Sequence, residues 1–328
     1  FDTTSEGFWS TGSKPILHLQ TREGYALRLT ANHPVQVVSY ATRKVERVEW
    51  RNAGELRAGD VVKLHNHRAT NRWAGYGNFE EGWLLGHLLG DGTFASKEGV
   101  HGQINTTAAL DFWGGTRHEM SARALTMLRE TVKTRADLKG IEYAPAHKVR
   151  LHSAGLADLA EQYGILHGAK YITDAVEKGS SEFYRGFLQG LFNTDGSVQG
   201  RLLKGVSVRL SQSNLDTLYS VQRMLLRLGI VSTIYKNRRS AGYRRLPDGH
   251  GGYAEYWCEA QHDLAIANDN IQVFAERVGF SEPEKAAKLA EILKSYVRRT
   301  NREMFRATIS KIEADGTEEV YDCSVPGP

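Results

Sequence analysis

Short runs rich in apolar Val, Leu and Tyr among polar residues open the chain: PILHLQT (15–21), YALRLTA (25–31), PVQVVSY (34–40) and VERVEW (45–50), parted by turn residues such as REG and NHP. Runs of this composition bounded by turn residues predict β-strands. NAGELRAGDVVKL predicts a short helical turn passing through Gly59 and Asp60 into another strand, and the polar, glycine-containing NHRATNRWAGYGN (66–78) reads as a linker. From Phe79 to about Thr300 the apolar spacing lengthens. Helices are predicted over 80–90, 117–135, 154–163, 181–193, 214–228, 268–278 and 282–299, alternating with strands. In the last of these, Leu289, Ile292, Leu293 and Tyr296 share a face, Pro283 stands in the first turn, and Ser281 with Glu284 has capping-box spacing. After Thr300, RATISKIEA and EEVYDCSVP return to strand-like patterns. The reading is an α+β protein in which a helix-rich block (79–300) is inserted into an all-β domain whose pieces, 1–75 and 303–328, flank it.

Composition narrows the class. A chain of 328 residues suffices for about two domains with cores of their own. No apolar run approaches the roughly 18 residues of a membrane span, and residues 1–12 lack the basic head and apolar core of a signal peptide. A soluble, intracellular, cytoplasmic protein is therefore expected. Cys258 and Cys323 lie far apart, which excludes a disulfide framework and a paired-cysteine zinc site. His65 and His67, the closest histidines, are taken as loop residues in preference to metal ligands. The net charge of +4 permits nucleic-acid binding without requiring it. Its distribution is more informative, because KNRRSAGYRR gathers Lys236, Arg238, Arg239, Arg244 and Arg245 beside Tyr243. Such a run is either a solvated loop or a phosphate-binding patch.

The block also repeats itself. WLLGHLLGDG (83–92) and FLQGLFNTDG (187–196) align without a gap, Gly82 on Gly186, Gly86 on Gly190, Asp91 on Asp195 and Gly92 on Gly196. Each is followed by a candidate strand, GVHGQINTT (99–107) or GVSVRLSQ (205–212). Each half also holds a lysine six residues after a glycine, Lys170 in GILHGAK and Lys285 in GFSEPEK. Gly82, Gly86 and Gly90 lie four apart, as do Gly186, Gly190 and Thr194, so each helix presents a stripe nearly without side chains. Glycine costs a helix roughly 1 kcal/mol against alanine, and its repeated use implies close helix packing. Paired about a pseudo-twofold axis, the two helices would put Asp91 and Asp195 side by side, where mutual repulsion calls for a cation. Mg²⁺ is the natural partner for such oxygen ligands. One Asp-Gly alone reads as an ordinary helix stop; two in register favour a site.

LLGHLLGDG and LQGLFNTDG resemble the paired LAGLIDADG motifs of homing endonucleases, over about residues 79–300, in halves of about 79–178 and 181–300. The resemblance implies two αββαββα halves forming a saddle on the DNA major groove, with Asp91 and Asp195 as metal ligands at the scissile phosphates. GAKYIT resembles the family's stretch around a catalytic lysine, with Thr173 where proline is usual, so Lys170 matches by motif and Lys285 follows from the internal repeat. The flanks are similar to an intein splicing (Hint) domain: WSTGSKPILHLQTREGYALRLTANHPVQVV with GELRAGDVV, and EEVYDCSVPGP near the end. By that resemblance Thr30 and His33 occupy the Thr-Xaa-Xaa-His motif that activates the upstream junction, and Asp322 is the acidic residue that couples the steps. Phe1 is no nucleophile and no terminal His-Asn precedes Pro328, so the chain as written is not expected to splice.

The resulting expectation is a Mg²⁺-dependent double-strand DNA endonuclease (Mn²⁺ able to replace Mg²⁺) carried in an intein, acting as a monomer on a long asymmetric DNA site. Host-protein exteins are its partners in the precursor, with no membrane. Metal at Asp91 and Asp195 would activate water and stabilise the leaving oxygen, with Lys170 and Lys285 supporting charge on the phosphates. Arg209, Gln212 and the cations Lys236, Arg238, Arg239, Arg244 and Arg245 are the candidate DNA contacts. Two rival readings are a DNA-binding fold of this kind without nuclease activity, and a self-splicing intein whose insert is a passenger.

Overall fold

Strands from the two ends of the chain share one sheet in the computed structural model, which describes residues 7–42, 45–70, 72–99, 101–200, 205–247, 252–295 and 301–324. The first segment supplies β1 (Phe8–Thr21), β2 (Ala26–Thr30), β3 (Pro34–Ala41), β4 (Glu46–Asn52) and β5 (Val61–Lys63). The last segment, read from its pattern as two strands, is a single long one, β16 in chain order (Arg306–Cys323). The sheet runs β2-β1-β16-β5-β3-β4, with β16 antiparallel to both β1 and β5. Ile16, Leu19, Leu29, Val37, Val62, Ala307 and Ile309 are its buried apolar residues, drawn from both segments. Residues 1–65 and 304–328 make this unit, and residues 66–303 make the other.

The central unit begins with the stretch that composition presents as a linker. It is folded onto that unit. Arg68 makes two hydrogen bonds of 2.9 Å to the Asp269 carboxylate, and Trp73 donates to the Gly179 carbonyl (3.0 Å) while meeting Tyr184 edge-on. Such long-range contacts leave no trace in local composition.

Two similar halves follow. The first contains α1 (Phe79–Asp91), β6 (Gly92–Glu98), β7 (Ile104–Trp113), α2 (Arg117–Thr131), β8 (Ile141–Tyr143), β9 (Lys148–Ser153) and α3 (Ala154–Gln162). A single turn, α4 (Asp174–Glu177), leads to the second half. That half contains α5 (Ser181–Asp195), β10 (Gly196–Gly200), β11 (Val206–Gln212), α6 (Leu215–Arg227), β12 (Ser232–Arg239), β13 (Gly242–Pro247), β14 (Tyr253–Cys258), β15 (Gln261–Ile266), α7 (Asn270–Arg277) and α8 (Pro283–Ser295). Strand order is β6-β7-β9-β8 in one sheet and β10-β11-β15-β12 in the other, the same topology twice. The pair β13-β14 has no counterpart.

Each sheet buries one face under helices. Val206, Val208 and Leu210 alternate inward on β11 while Ser207, Arg209 and Ser211 alternate outward. Leu218, Val221, Leu225 and Leu228, at helical spacing on and just after α6, are fully buried beneath that sheet's core face. Each fully buried side chain of this size contributes roughly 1.5–3 kcal/mol. Among the described residues no helix is long and apolar enough to cross a membrane.

Three local expectations are corrected. The strand after the first Asp-Gly starts at Gly92, not at 99, because Gly92 itself leaves the helix in extended conformation (φ −101, ψ 163). The helix predicted over 117–135 stops at Thr131, where Val132 turns extended. Ser281 does not form a capping box with Glu284. Its hydroxyl accepts from Trp83 Nε1 (3.1 Å) and Asn193 Nδ2 (2.7 Å), and the Glu282 carboxylate accepts the first helical N–H groups, those of Glu284 and Lys285. Tyr296, assigned to the apolar face of that helix, lies outside the described residues.

Candidate active site

Main chain meets main chain where α1 and α5 cross. A Cβ added to Gly82 or Gly86 would stand inside 3.0 Å of the Phe183 or Phe187 carbonyl oxygen, and one added to Gly186 or Gly190 would do the same to Phe79 or Trp83. Real side chains do not approach backbone so closely, so the glycines are what allow the contact. At the far end Gly90 faces Thr194, and its added Cβ would lie 3.2 Å from Asp195 Oδ2. The α5 carboxylate is thus held against the last turn of α1.

Both helices stop at their aspartate. Gly92 and Gly196 depart extended (φ −101 and −80), so their glycine character answers crowding instead of backbone angle: a Cβ there would strike the Leu88 or Phe192 carbonyl. A helix end leaves its last carbonyls without intrahelical donors. Lys170 Nζ donates to the Gly92 carbonyl (2.7 Å), and Lys285 Nζ donates to those of Asn193 (2.5 Å) and Thr194 (3.0 Å). Each ammonium therefore closes one helix terminus, where the macrodipole favours positive charge, and is brought beside the carboxyl groups in doing so.

Electrostatics follow from this crowding. Burial, then the charge of Asp195, pushes the Asp91 carboxyl up to about 6, with Lys285 pulling the other way. Asp195 is also raised by burial, moderated by a hydrogen bond from Gln212 Nε2 to its Oδ2 (2.5 Å). Lys170 and Lys285 are both lowered by burial, against the attraction of the two aspartates. With each ammonium given to helix carbonyls, neither carboxyl group has an ion-pair partner within 4.0 Å among the described residues.

The donor set fits a hard divalent ion that brings its own company. Among the described residues no group of three or more His, Cys, Asp and Glu forms a metal cage. Mg²⁺ is ordinarily held by one or two carboxylates, with waters and substrate phosphates completing its shell. Two crowded, under-neutralised carboxyls meet that description. Beside them a cavity of about 270 Å³ is lined by Asp91, His87, Thr116, Asn193, Glu282 and Lys285, among others.

His87 was not singled out by its sequence context. One turn before Asp91, it is buried between the rings of Trp83 (5.3 Å) and Phe112 (4.5 Å), with Nε2 3.0 Å from the Asp111 carbonyl. Burial lowers its pKa to about 4, so it stays neutral at physiological pH. Its signal was available only as a lone polar residue in an apolar run, the usual signature of a core histidine.

Matching ladder positions carry matching polar pairs. Leu110 opposes Gly92 and Leu151, as Leu210 opposes Gly196 and Leu264. The next rung is Asp111 with Arg150 in the first half (2.6 and 2.5 Å) and Ser211 with Asp263 in the second (2.7 Å). The rung after that places Phe112 where the second half has Gln212.

The remaining sequence-derived positions separate into groups. Gln212, expected to read a base, is instead bound to Asp195, because its strand passes directly beneath the end of α5. Arg209 lies on the outward face but its guanidinium is engaged by Asp263 (3.1 Å) and Ser207 (3.1 Å). Lys236, Arg238 and Arg239 are exposed on β12, and Arg245 is exposed on β13, over the Tyr253 ring (5.4 Å). Arg244, half-buried, donates to the Ser240 carbonyl (2.8 Å). In the other unit Thr30 and His33 span one turn, closed by His33 N–H to the Thr30 carbonyl (3.0 Å). Asp322 pairs across from Trp9 on β1, whereas Thr30 sits opposite Ile16, so they lie on different stretches of that strand.

Comparison with known proteins bears on the fold. Residues 182–279 match the family described as a LAGLIDADG-like domain. Over 94% of its length the chain is 24% identical to a segment of the ribonucleoside-diphosphate reductase NrdEB subunit alpha of Bacillus subtilis. It is 26% identical over 86% of its length to replicative DNA helicase DnaB of Rhodothermus marinus, and 26% over 87% to RecA of Mycobacterium tuberculosis. It spans only 28%, 28% and 34% of those proteins. Among solved structures, the homing endonuclease I-WcaI bound to its DNA recognition sequence is 15% identical (TM-score 0.42, covering 68% of this chain and 90% of that one). I-DmoI in complex with DNA and Ca is 17% identical (TM-score 0.40, covering 65% and 97%). The similarity to a LAGLIDADG-like domain thus falls on the second half of the central unit, which is of mixed α and β structure.

Proposed function

We propose that the central unit is a site-specific endonuclease for double-stranded DNA that uses a divalent cation, Mg²⁺ or Mn²⁺, held by Asp91 and Asp195. The observation that carries this reading is the meeting of two half-buried carboxyl groups, raised by burial, at the ends of two helices in backbone contact. A cation bound there would supply Lewis acidity toward a phosphodiester and the water that attacks it. Lys170 and Lys285 hold fixed positive charge beside those carboxyls, suited to the charge that develops on a phosphate in the transition state. Gln212 fixes the orientation of the Asp195 carboxylate. The neutral His87, stacked between Trp83 and Phe112, closes the interior end of the site. Outward-facing strands with Lys236, Arg238, Arg239 and Arg245 offer the cations that phosphate contact needs.

The assay is cleavage of a duplex in which the host sequence runs uninterrupted across the insertion point, in Mg²⁺ and in EDTA. Cutting that needs the metal and vanishes in Asp91→Asn with Asp195→Asn supports the assignment. Cutting undiminished in that double variant sinks it, and binding without nicking in either Mg²⁺ or Mn²⁺ points to a DNA-binding protein.

We also propose that the flanking unit is a splicing (Hint) domain. A reductase subunit, a helicase and RecA have different activities yet share one segment with this chain, which fits an insert that moves between hosts. The pairing of β1 with β16 fits it too, since an all-β unit interrupted between β5 and β16 still closes its own sheet. In this reading Thr30, His33 and Asp322 serve the splice junctions. Expression between its natural flanking sequences tests it: ligated flanks and a freed insert, both lost in His33→Ala, are expected, and an intact precursor with the full flanks refutes it.

A further inference from the structure

The second half carries an arm that the first half lacks, and we propose that this arm lies in the groove of the duplex beyond the sheets, lengthening the DNA footprint on that side only. The inference rests on the endonuclease reading above. In the first half the β8–β9 hairpin turns over directly after Tyr143 pairs with Lys148. Its counterpart does not stop at that level. After Arg239 pairs with Gln261 the ladder breaks briefly and resumes from Gly242 opposite Cys258 to Pro247 opposite Tyr253. The outcome is a two-stranded ribbon, β13 with β14, that pairs with no other strand among the described residues.

Such a ribbon is marginal in water by itself, and this one is covered in aromatic surface. Tyr243 is 71% exposed, Tyr253 62%, Trp257 55% and Tyr256 42%. Register divides its side chains between two faces. Tyr243, Trp257, Tyr253 and Arg245 share one, with Glu255 opposite Arg245 and Tyr243 edge-on to Trp257 at 5.3 Å. Arg244, Tyr256 and Leu246 share the other. Lys236, Arg238 and Arg239 continue the positive charge at its root, against Glu255 on the ribbon and Glu259 beside it. Basic and aromatic groups on both faces call for an occupant with negative charge on two sides and a mixture of polar and methyl-bearing edges between. The major groove of B-DNA is that occupant: it admits a two-stranded ribbon and is walled by phosphates. Six residues per strand at about 3.3 Å each reach roughly 20 Å, or about six base pairs.

The test uses the full chain and the uninterrupted host duplex of the cleavage assay. An iron chelate is attached at Cys258 in a Cys323→Ser background, and hydroxyl-radical footprints are taken of the parent and of Tyr243→Ser with Trp257→Ser. Strand scission by the tethered iron in one flank alone is expected, with parental protection about six base pairs longer there. The double variant should lose that extra protection and bind about tenfold more weakly. Specific cutting by the parent with equal protection on both flanks and no tethered scission overturns the arm while leaving the nuclease standing. A change of oligomeric state in the double variant with an unchanged footprint overturns it too, in favour of a protein contact. No cutting and no footprint by the parent removes the endonuclease reading and the arm with it.

Discussion

Replacing Asp91 by asparagine should make the protein more stable while removing its proposed activity. The carboxyl titrates near 6 in the fold against 3.8 when free, so folding disfavours its ionised form. A displacement of about two units corresponds to about 3 kcal/mol at 1.36 kcal/mol per unit. The group is partly open to solvent, and screening brings the expected gain down to about 1–2 kcal/mol. The sign fixes the pH window. A carboxyl whose folded pKa is raised penalises the native state fully above that value, and the penalty fades between 6 and 3.8. Asp91→Asn should therefore melt higher than the parent at about pH 8, by about 2–4 °C for each kcal/mol, and match it near pH 4. Titrating Mg²⁺ supplies a second readout: the parent's Tm should climb with ion concentration, and the variant's much less. A variant that melts lower at pH 8, or differs from the parent equally at both pH values, would refute the claim that burial, with the charge of Asp195, disfavours the ionised form of this carboxyl.

Other perturbations test separate contacts. Gly86→Ala drives a methyl into the Phe187 carbonyl, and its urea midpoint should fall by the equivalent of about 3 kcal/mol or more, since neither backbone can yield. Gln212→Leu deletes the donor to Asp195; the acid limb of the cleavage pH profile should move upward, with turnover reduced and duplex affinity little changed. Arg150→Met strands the Asp111 carboxylate, buried with only Lys148 3.7 Å away, and should cost about 3 kcal/mol by denaturant unfolding. Adding Asp111→Asn should recover part of that loss, and strict additivity of the two would contradict direct pairing.

What could be read in the chain alone divides along physical lines. Glycines at a four-residue interval encode their own partner, because only backbone fits against such a stripe; Gly82, Gly86, Gly186 and Gly190 therefore specify the helix contact from sequence alone. Repetition then located both aspartates and, more loosely, both lysines. Strand residues are harder. Their period of two says that Arg209 and Gln212 leave the strand on opposite faces, or near its end, but not what crosses above them, and Gln212 proved to lie under the end of α5. Cross-strand partners such as Asp111 and Arg150 are separated by a helix and a hairpin in sequence and carry no local mark. The stretch 66–78 failed for the same reason: its polarity is real, yet Arg68 and Trp73 are spoken for by residues more than a hundred positions away.

The backbone contact of α1 with α5 has one more implication. The spacing of the two helix ends is set by main-chain atoms, so it behaves as a fixed gauge that side-chain exchange on the outward faces of the sheets does not reset. Residues such as Ser207 and Arg209 on the outward face can drift without altering that gauge. A scaffold of this kind separates what is recognised from where two charges are delivered, and lets the first diverge while the second is inherited intact.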